Sequence, residues 1–555
     1  MPNVQYSGQR PWNSSYPTGV RWGDELGFSP IAQLFDETVL KFASCDAILF
    51  RGHHYSFDWT AKEVRKLASA LIANSFGGAR VALLLPNAPF HPVSFFSILK
   101  AGGSVVQLST FDAEVQMLHK LIDSQATVLF TTDNPVQLEK AYSAARNSNV
   151  LKIIVFEEAR WGLDVLHPPI VEDDFLETYD RFVGAVENTP KFSTATSEQI
   201  ALIQYTGGTT GLPKGAIITH GNIAAAVASY RRWFDSAEGV GREIVICALP
   251  LSHVYGLVTI FIKSFLAGSL ISLHHRFKVA DVLRDVAELK ATTLPAVPTI
   301  WKEIVDFPGI EKLDLSSLKL CSAGGAPLST SLKERVEALT GQFLRGGWGM
   351  TETVSAGTNR PATGLRKSGS IGVPLPGLDL EVVSLENGMS VAPGNVGEIR
   401  VRGANVISGY LHGRDHEAFA DGWFRTGDLG YMDSDGYVFL VGRRKEMIIV
   451  NGLNVYPLVV EQAILSHPKI DEAIVIGVPD QRSGESISAY VTLREGSQYL
   501  ELDELREHLG HLLGKHELPA SLHIREALPK TSVGKLSRLD LMTELGISPA
   551  ASTHV

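Results

Sequence analysis

The chain has 555 residues, 45% of them apolar and 20% charged, and a formal net charge of -10. That length exceeds one compact domain, and the acidic balance excludes a broad basic surface for nucleic acid while leaving room for a local basic pocket. Cys45, Cys247 and Cys321 lie far apart, with no CxxC pair or Cys/His cluster for zinc, so free thiols in a reducing compartment are expected.

The first residues, MPNVQYSGQRPWNSS, have no apolar core of the kind a secretory signal needs, and the protein reads as soluble and cytoplasmic. RVALLLPN (residues 80–87) has the pattern of a buried strand. A helix pattern, HPVSFFSILKAGG, follows, then the strand-like SVVQLS. TVLFTT (127–132) and KIIVF (152–156) read as further parallel strands. The most apolar segment, residues 257–273, is short and carries Lys263, which predicts a buried helix running into a strand rather than a membrane span. DVLRDVAELK (281–290) has helical spacing. This alternation predicts α/β layers. Between residues 370 and 445, Gly and Pro punctuate short strands, with a hairpin turn at DSDG (433–436), so a β-rich subdomain is expected. A compact αβ unit follows the charged knot GRRKE, which sets a domain boundary at Lys445: residues 1–444, then 445–555.

Four clusters bear on chemistry. YTGGTTGLPKG (205–215) interleaves Gly207, Gly208 and Gly211, which let backbone N–H groups turn inward, with the hydroxyls of Thr206, Thr209 and Thr210 and the charge of Lys214. A plain flexible loop between a strand and a helix would need no such hydroxyls, so a phosphate cradle is the reading. It is not the usual P-loop: a proline precedes the lysine and no Ser or Thr follows it. In GWGMTET (347–353), Glu352 follows a threonine in a glycine-rich turn; it suits Mg²⁺ on a nucleotide, or equally a helix cap or salt bridge. RTGDLG (425–430), with Arg443, presents Asp428 on a turn, where it could take a ribose diol or bond its own backbone. LPKTSVGKLSR (528–538) holds Lys530 and Lys535 in what alone reads as a solvated basic loop.

In order and wording these clusters resemble the adenylate-forming superfamily of acyl-CoA synthetases, peptide-synthetase adenylation domains and luciferases, over nearly the whole chain to Arg538. LPLSHVYGL, SAGGAPLS, SGSIGVPLPG and NGLNVYP look most like fatty-acyl-CoA ligases. The resemblance implies an α/β protein: a large N-terminal domain of layered sheets with flanking helices plus a β-rich subdomain, and a small mobile α+β C-terminal domain. It implies that ATP, Mg²⁺ and coenzyme A are used to convert a carboxylic acid, most like a medium- or long-chain fatty acid, through an acyl-AMP to an acyl-CoA.

By the same resemblance, Thr206, Gly207, Gly208, Thr209, Thr210 and Lys214 cradle the triphosphate, Thr351 contacts the α-phosphate, and Glu352 with Thr210 holds Mg²⁺. Gly324, Gly325, Ala326, Pro327 and Trp348 form the adenine slot, and Asp428 and Arg443 bind ribose. Lys535 reaches in from the small domain as the catalytic cation. Lys445 is the hinge, and Gly452 meets the pantetheine after rotation. His253, which alone reads as a core histidine, gates an acyl pocket that includes Tyr255 and Gly347. The partners implied are a small carboxylic acid, ATP and CoA, without nucleic acid; a homodimer and peripheral membrane contact are compatible with this.

Gly346, Trp348 and Ser252 depart from the residues frequent in relatives, and all three touch the nucleotide or acyl pockets. An aryl-CoA ligase for benzoate- or cinnamate-like acids would share every motif. A peptide-synthetase domain would want an Asp near HVYG, and acyl-AMP ligases tend to carry an insertion after the hinge; neither occurs. A non-catalytic nucleotide-binding scaffold would be expected to lose Lys535 first, and the lysine is present.

Overall fold

The computed structural model describes residues 10–547 apart from 24–25, 27–28, 164, 166, 185–189, 193, 207–212, 235–241, 498 and 532–534. The apolar runs of the first part pair into a seven-stranded sheet. Its order is Leu176–Thr178, Lys152–Phe156, Val128–Thr132, Arg80–Leu83, Ser104–Gln107, Ile200–Thr206, Lys214–Thr219. Every pairing is parallel except the last. Val128–Thr132 is buried at every position, and an unbroken apolar run is the sequence form of a strand covered on both faces.

A second seven-stranded sheet runs Leu344–Gly346, Leu320–Ala323, Thr293–Ala296, Ile244–Cys247, Leu270–Leu273, Asp46–Phe50, His53–Ser56. It too is parallel with one antiparallel edge pair. The helix Phe90–Lys100 is buried from Phe90 through Leu99, as only a helix enclosed by neighbouring elements can be. Rings close the core: the centroids of Phe35 and Phe96 lie 4.4 Å apart, and those of Phe57 and Phe265 4.7 Å apart. Deleting one such ring, as in Phe96→Ala, costs about 3–5 kcal/mol.

Residues 257–273 form the buried helix and strand that the sequence predicts. A π-helical stretch, Tyr255–Ile262, runs into the short α-helix Lys263–Leu266 and then the strand Leu270–Leu273. Among the described residues no helix is long and apolar enough to cross a membrane. The three cysteines are free.

The β-rich stretch is a four-stranded antiparallel sheet of Leu378–Val383, Gly397–Gly403, Phe424–Met432 and Val438–Arg443. The predicted turn closes on Asp433, whose carboxylate accepts from the N–H groups of Asp435 and Tyr437, both at 3.0 Å. One turn, Arg444–Glu446, carries the chain into a last sheet: Leu453–Val455, Ile448–Val450, Gly484–Leu493 and Ile470–Asp480, with Ser521–Ile524 parallel to Gly484–Leu493. This unit has its own core, built on Val455, Val460, Ile464, Ile470 and Leu505.

Candidate active site

The strands Leu320–Ala323 and Leu344–Gly346 end side by side, and each passes directly into a glycine pair. A cleft of about 3320 Å³ opens there; the C-terminal unit contributes to its lining, and so does the four-stranded sheet. Gly347 is obligatory at this edge, because a Cβ on it would fall 1.9 Å from the carbonyl oxygen of Thr358.

Thr206 and Lys214 stand opposite one another in an antiparallel pair and both line the cleft. The glycine loop therefore joins two strands, not a strand and a helix. Gly207, Gly208, Thr209 and Thr210 lie outside the described residues. The Lys214 ammonium pairs with the Asp415 carboxylate. Glu352, 5% exposed, sits in the single turn Thr351–Thr353, and its Oε1 accepts from the Tyr410 hydroxyl at 2.7 Å. Burial pushes its pKa above the usual carboxylate range, and the Tyr410 hydrogen bond opposes that rise. Among the described residues Glu352 forms no salt bridge; its recorded side-chain partner is a phenol.

Asp428 lies within the strand Phe424–Met432, in register with Arg443 on the next strand, and not on a turn as the sequence suggested. Its two oxygens are engaged separately. Oδ2 accepts from the Trp348 indole N–H at 2.7 Å, and Oδ1 faces Arg443 Nε at 3.0 Å. Asp428 is 4% exposed; burial raises its pKa, while Arg443 and Trp348 work against the rise. The Arg443 pKa is raised chiefly by Asp428.

Lys535 is not a solvated surface lysine. It comes from the loop before the helix Arg538–Glu544, where its N–H donates to Thr531 Oγ1 at 3.2 Å and its carbonyl accepts from Thr531 N–H at 2.7 Å. Its side chain lies along Gly325: a Cβ there would sit 3.3 Å from Lys535 Cε and 3.8 Å from Nζ. Burial lowers the lysine's pKa, and the Arg443 charge adds to the effect. His253 is lowered to about 4, first by burial and then by Lys535, so the ring is neutral at pH 7. Tyr255 packs its ring over Gly324, and burial pushes its pKa up to about 12. Lys530, by contrast, pairs with Glu472 at 2.7 Å. Lys302 of the second sheet's helical cover meets Asp471 of the C-terminal unit at 2.8 Å.

The structure thus gathers Thr206, Lys214, Gly324, Gly325, Ala326, Pro327, Trp348, Thr351, Glu352, Asp428, Arg443, Lys535, His253, Tyr255 and Gly347 along one cleft. Lys445 borders it from the turn Arg444–Glu446. Gly452 does not: it is exposed, in the turn between Ile448–Val450 and Leu453–Val455. Sequence reasoning missed Tyr410 and Asp415, which belong to no motif and reach Glu352 and Lys214 only through the tertiary fold.

A cleft lined by Lys214, the buried Glu352 carboxylate, the Asp428–Arg443 pair and Lys535 of the C-terminal unit is suited to an anionic ligand such as a nucleotide. The chain belongs to the AMP-binding enzyme family: that family's model matches residues 35–411, and the model for the AMP-binding enzyme C-terminal domain matches 459–535. Its architecture is that of the adenylate-forming superfamily. A long-chain-fatty-acid–CoA ligase of Bacillus subtilis is 34% identical, covering 97% of this chain and 98% of that protein. A ligase of the same name from Yersinia pestis is 30% identical over the same shares. Among solved structures, ATP-bound MatB from Rhodopseudomonas palustris superposes with a TM-score of 0.81 at 26% identity, covering 92% of this chain and 98% of that one. The o-succinylbenzoate CoA synthetase of Bacillus subtilis with its acyl-adenylate intermediate gives 0.78 at 26%, covering 93% and 98%.

Proposed function

We propose that the chain activates a linear fatty acid of medium or long chain. Acid and ATP give acyl-AMP and pyrophosphate; acyl-AMP and coenzyme A then give acyl-CoA and AMP. The chain is an acid–thiol ligase of the acyl-CoA synthetase kind and uses ATP and CoA. The choice of a linear acid rests on full-length similarity to ligases named for long-chain fatty acids. The observation that carries the mechanism is the Lys535 side chain lying on Gly325, close enough to His253 to depress its pKa.

A free carboxylate does not acylate a thiol at neutral pH, since oxide would have to leave. In the first step a carboxylate oxygen attacks the α-phosphorus, and the bond to the bridging oxygen of pyrophosphate breaks. Charge gathers on the α-phosphate oxygens, and a fixed cation such as Lys535 is worth most there. His253 Nδ1 accepts from the Tyr255 N–H at 3.3 Å, so the neutral ring carries its proton on Nε2 and can donate it to the substrate carboxylate. Asp428 spends two acceptor positions on Trp348 and Arg443 and keeps two for ribose hydroxyls. Thr206 and Lys214, with the loop between them, hold the β- and γ-phosphates, for which Lys214 must leave Asp415.

Glu352 fits Mg²⁺: it is a buried carboxylate whose side chain accepts from the Tyr410 hydroxyl, and no basic side chain forms a salt bridge with it among the described residues. Bound there, the cation would offset charge on the departing pyrophosphate. For the second step the C-terminal unit turns about Lys445, bringing Gly452 to the pantetheine. The CoA sulfur then attacks the acyl carbon, and AMP leaves.

An aryl acid is the second reading, favoured by the likeness to the o-succinylbenzoate CoA synthetase. The test is CoA-dependent AMP formation with linear acids from acetate to palmitate, benzoate and cinnamates. Activity that rises along the linear acids supports the proposal. Activity with aromatic acids alone moves the substrate to the second reading. ATP binding without pyrophosphate release on any acid overturns both.

A further inference from the structure

The cleft wall continues past Tyr255 to groups that a plain hydrocarbon cannot satisfy. Two rulers give its depth. The parallel strands of the second sheet point their C-terminal ends at the glycine pairs, so Thr293, which opens the strand Thr293–Ala296, lies at the far end. Three residues at about 3.3 Å each set it roughly 10 Å away from the nucleotide side. Lys263 follows the stretch Tyr255–Ile262, and at no more than about 1.5 Å per residue it too is roughly 10 Å beyond Tyr255.

Lys263, Ser264 and Thr293 all line the cleft, and they are 8%, 1% and 3% exposed. Among the described residues the hydroxyls of Ser264 and Thr293 have no hydrogen-bond partner. Lys263 Nζ lies 5.2 Å from the centre of the Phe234 ring, and among the described residues no carboxylate pairs with it. Lys120, buried to the same degree, pairs with Asp112 at 2.5 Å, and Arg360, half-buried on the cleft wall, donates Nε to the Ser370 carbonyl at 2.8 Å. A buried ammonium and two unsatisfied hydroxyls on one cleft wall are poor company for a methyl terminus and suitable donors for a carboxylate.

We infer that the acid this enzyme takes carries a second carboxylate at its far end, held by Lys263, Ser264 and Thr293: the substrate is a linear α,ω-dicarboxylic acid. With C–C bonds of about 1.5 Å laid zigzag, roughly six to ten carbons span about 10 Å. The inference rests on the linear-acid reading above and sharpens it.

The experiment measures kcat/KM for AMP release at saturating ATP and CoA, with adipate, suberate, sebacate and dodecanedioate beside the monoacids of equal length. Wild type is run with Lys263→Met, Lys263→Arg and Thr293→Val. Wild type should favour one diacid over its monoacid by about 10- to 100-fold, the worth of a hydrogen bond between charged groups. Lys263→Met should erase or invert that ratio, and Lys263→Arg should keep part of it. Monoacids preferred at every length would overturn the inference and leave the fatty-acid reading standing. A diacid preference unmoved by Lys263→Met would overturn the assigned anchor. No AMP from any linear acid would overturn both readings. The decisive comparison uses the wild-type enzyme, so the folding of a variant does not enter it.

Discussion

Gly325→Ala tests whether Lys535 acts where the structure puts it. Gly325 has φ +84, a conformation that costs an L-residue about 1–2 kcal/mol. The new methyl would lie 3.3 Å from Lys535 Cε and 3.4 Å from Val297 Cγ1. Val297 is packed at 6% exposure, so the lysine is the group that yields, by a few tenths of an ångström. Removing a fixed charge-stabilising group costs about 2.7–4 kcal/mol, and a displaced one forfeits part of that, about 1–2 kcal/mol. Pyrophosphate exchange should therefore fall about 5- to 30-fold, while thioester formation from supplied acyl-AMP changes less than about twofold. Lys535→Ala is the benchmark, with a loss of about 100-fold or more confined to the same step. The two half-reactions share the adenine slot, so a merely distorted slot would slow both. Equal losses in the two assays would refute the assignment of Lys535.

Lys445→Pro, in the turn Arg444–Glu446, should spare adenylation and slow thioester formation; single-turnover assays of each step check it, and the reverse order counts against this hinge. Lys302→Ala removes a pair with 42% and 27% exposed partners, worth about 0–1 kcal/mol, so adenylation should fall at most about fivefold with thioester formation unharmed. Tyr410→Phe removes a hydrogen bond that holds the raised Glu352 pKa down. A carboxyl raised on folding adds stability that is full below its unfolded pKa and is lost as pH rises through the folded one. The substitution should extend that loss to higher pH, and the acid limb of kcat/KM, which needs the carboxylate, should move the same way; an unmoved limb would refute it. His253, at about 4, should contribute no inflection between pH 6 and 7, and in Lys535→Ala its NMR titration should move upward because a repelling charge is gone.

Burial on both faces made the parallel strands legible: Val128–Thr132 and Lys152–Phe156 can be little else. The glycine loop between Thr206 and Lys214 stood out for a different reason, since threonines and a lysine have no purpose in a bare turn, and a phosphate cradle is what we propose for it. Asp428 was read on a turn because GDLG has turn composition, yet pairing with the strand of Arg443 overrides that local preference. Tyr410 lies 58 residues from the carboxylate it serves, and no local pattern marks such a pair. Lys263 was visible only as a charge that spoiled a membrane span. Its burial depends on Phe234 and its own helix meeting, which periodicity within any one segment does not reveal.

The shifts around the cleft share one sense. Burial and like charge lower Lys535 and His253, while burial raises Glu352 and Asp428. Each marks a charged form that the surrounding protein groups do not stabilise on their own. Polyphosphate beside Lys535 and a divalent cation on Glu352 would reverse both sets together. Docking of the C-terminal unit is then favoured by the nucleotide rather than by Lys302–Asp471, whose partly exposed charges supply about 1 kcal/mol or less. In the proposed reaction, departure of pyrophosphate takes most of that negative charge away and leaves the single charge of an acyl-phosphate ester near Lys535. The hold on the docked unit is then at its weakest, which is when the proposed turn about Lys445 has to follow. On this argument the order of the two steps is set by electrostatics at one lysine, and a variant that keeps the lysine docked without anions, such as one carrying a carboxylate at Val297, should complete the first step slowly and the second more slowly still.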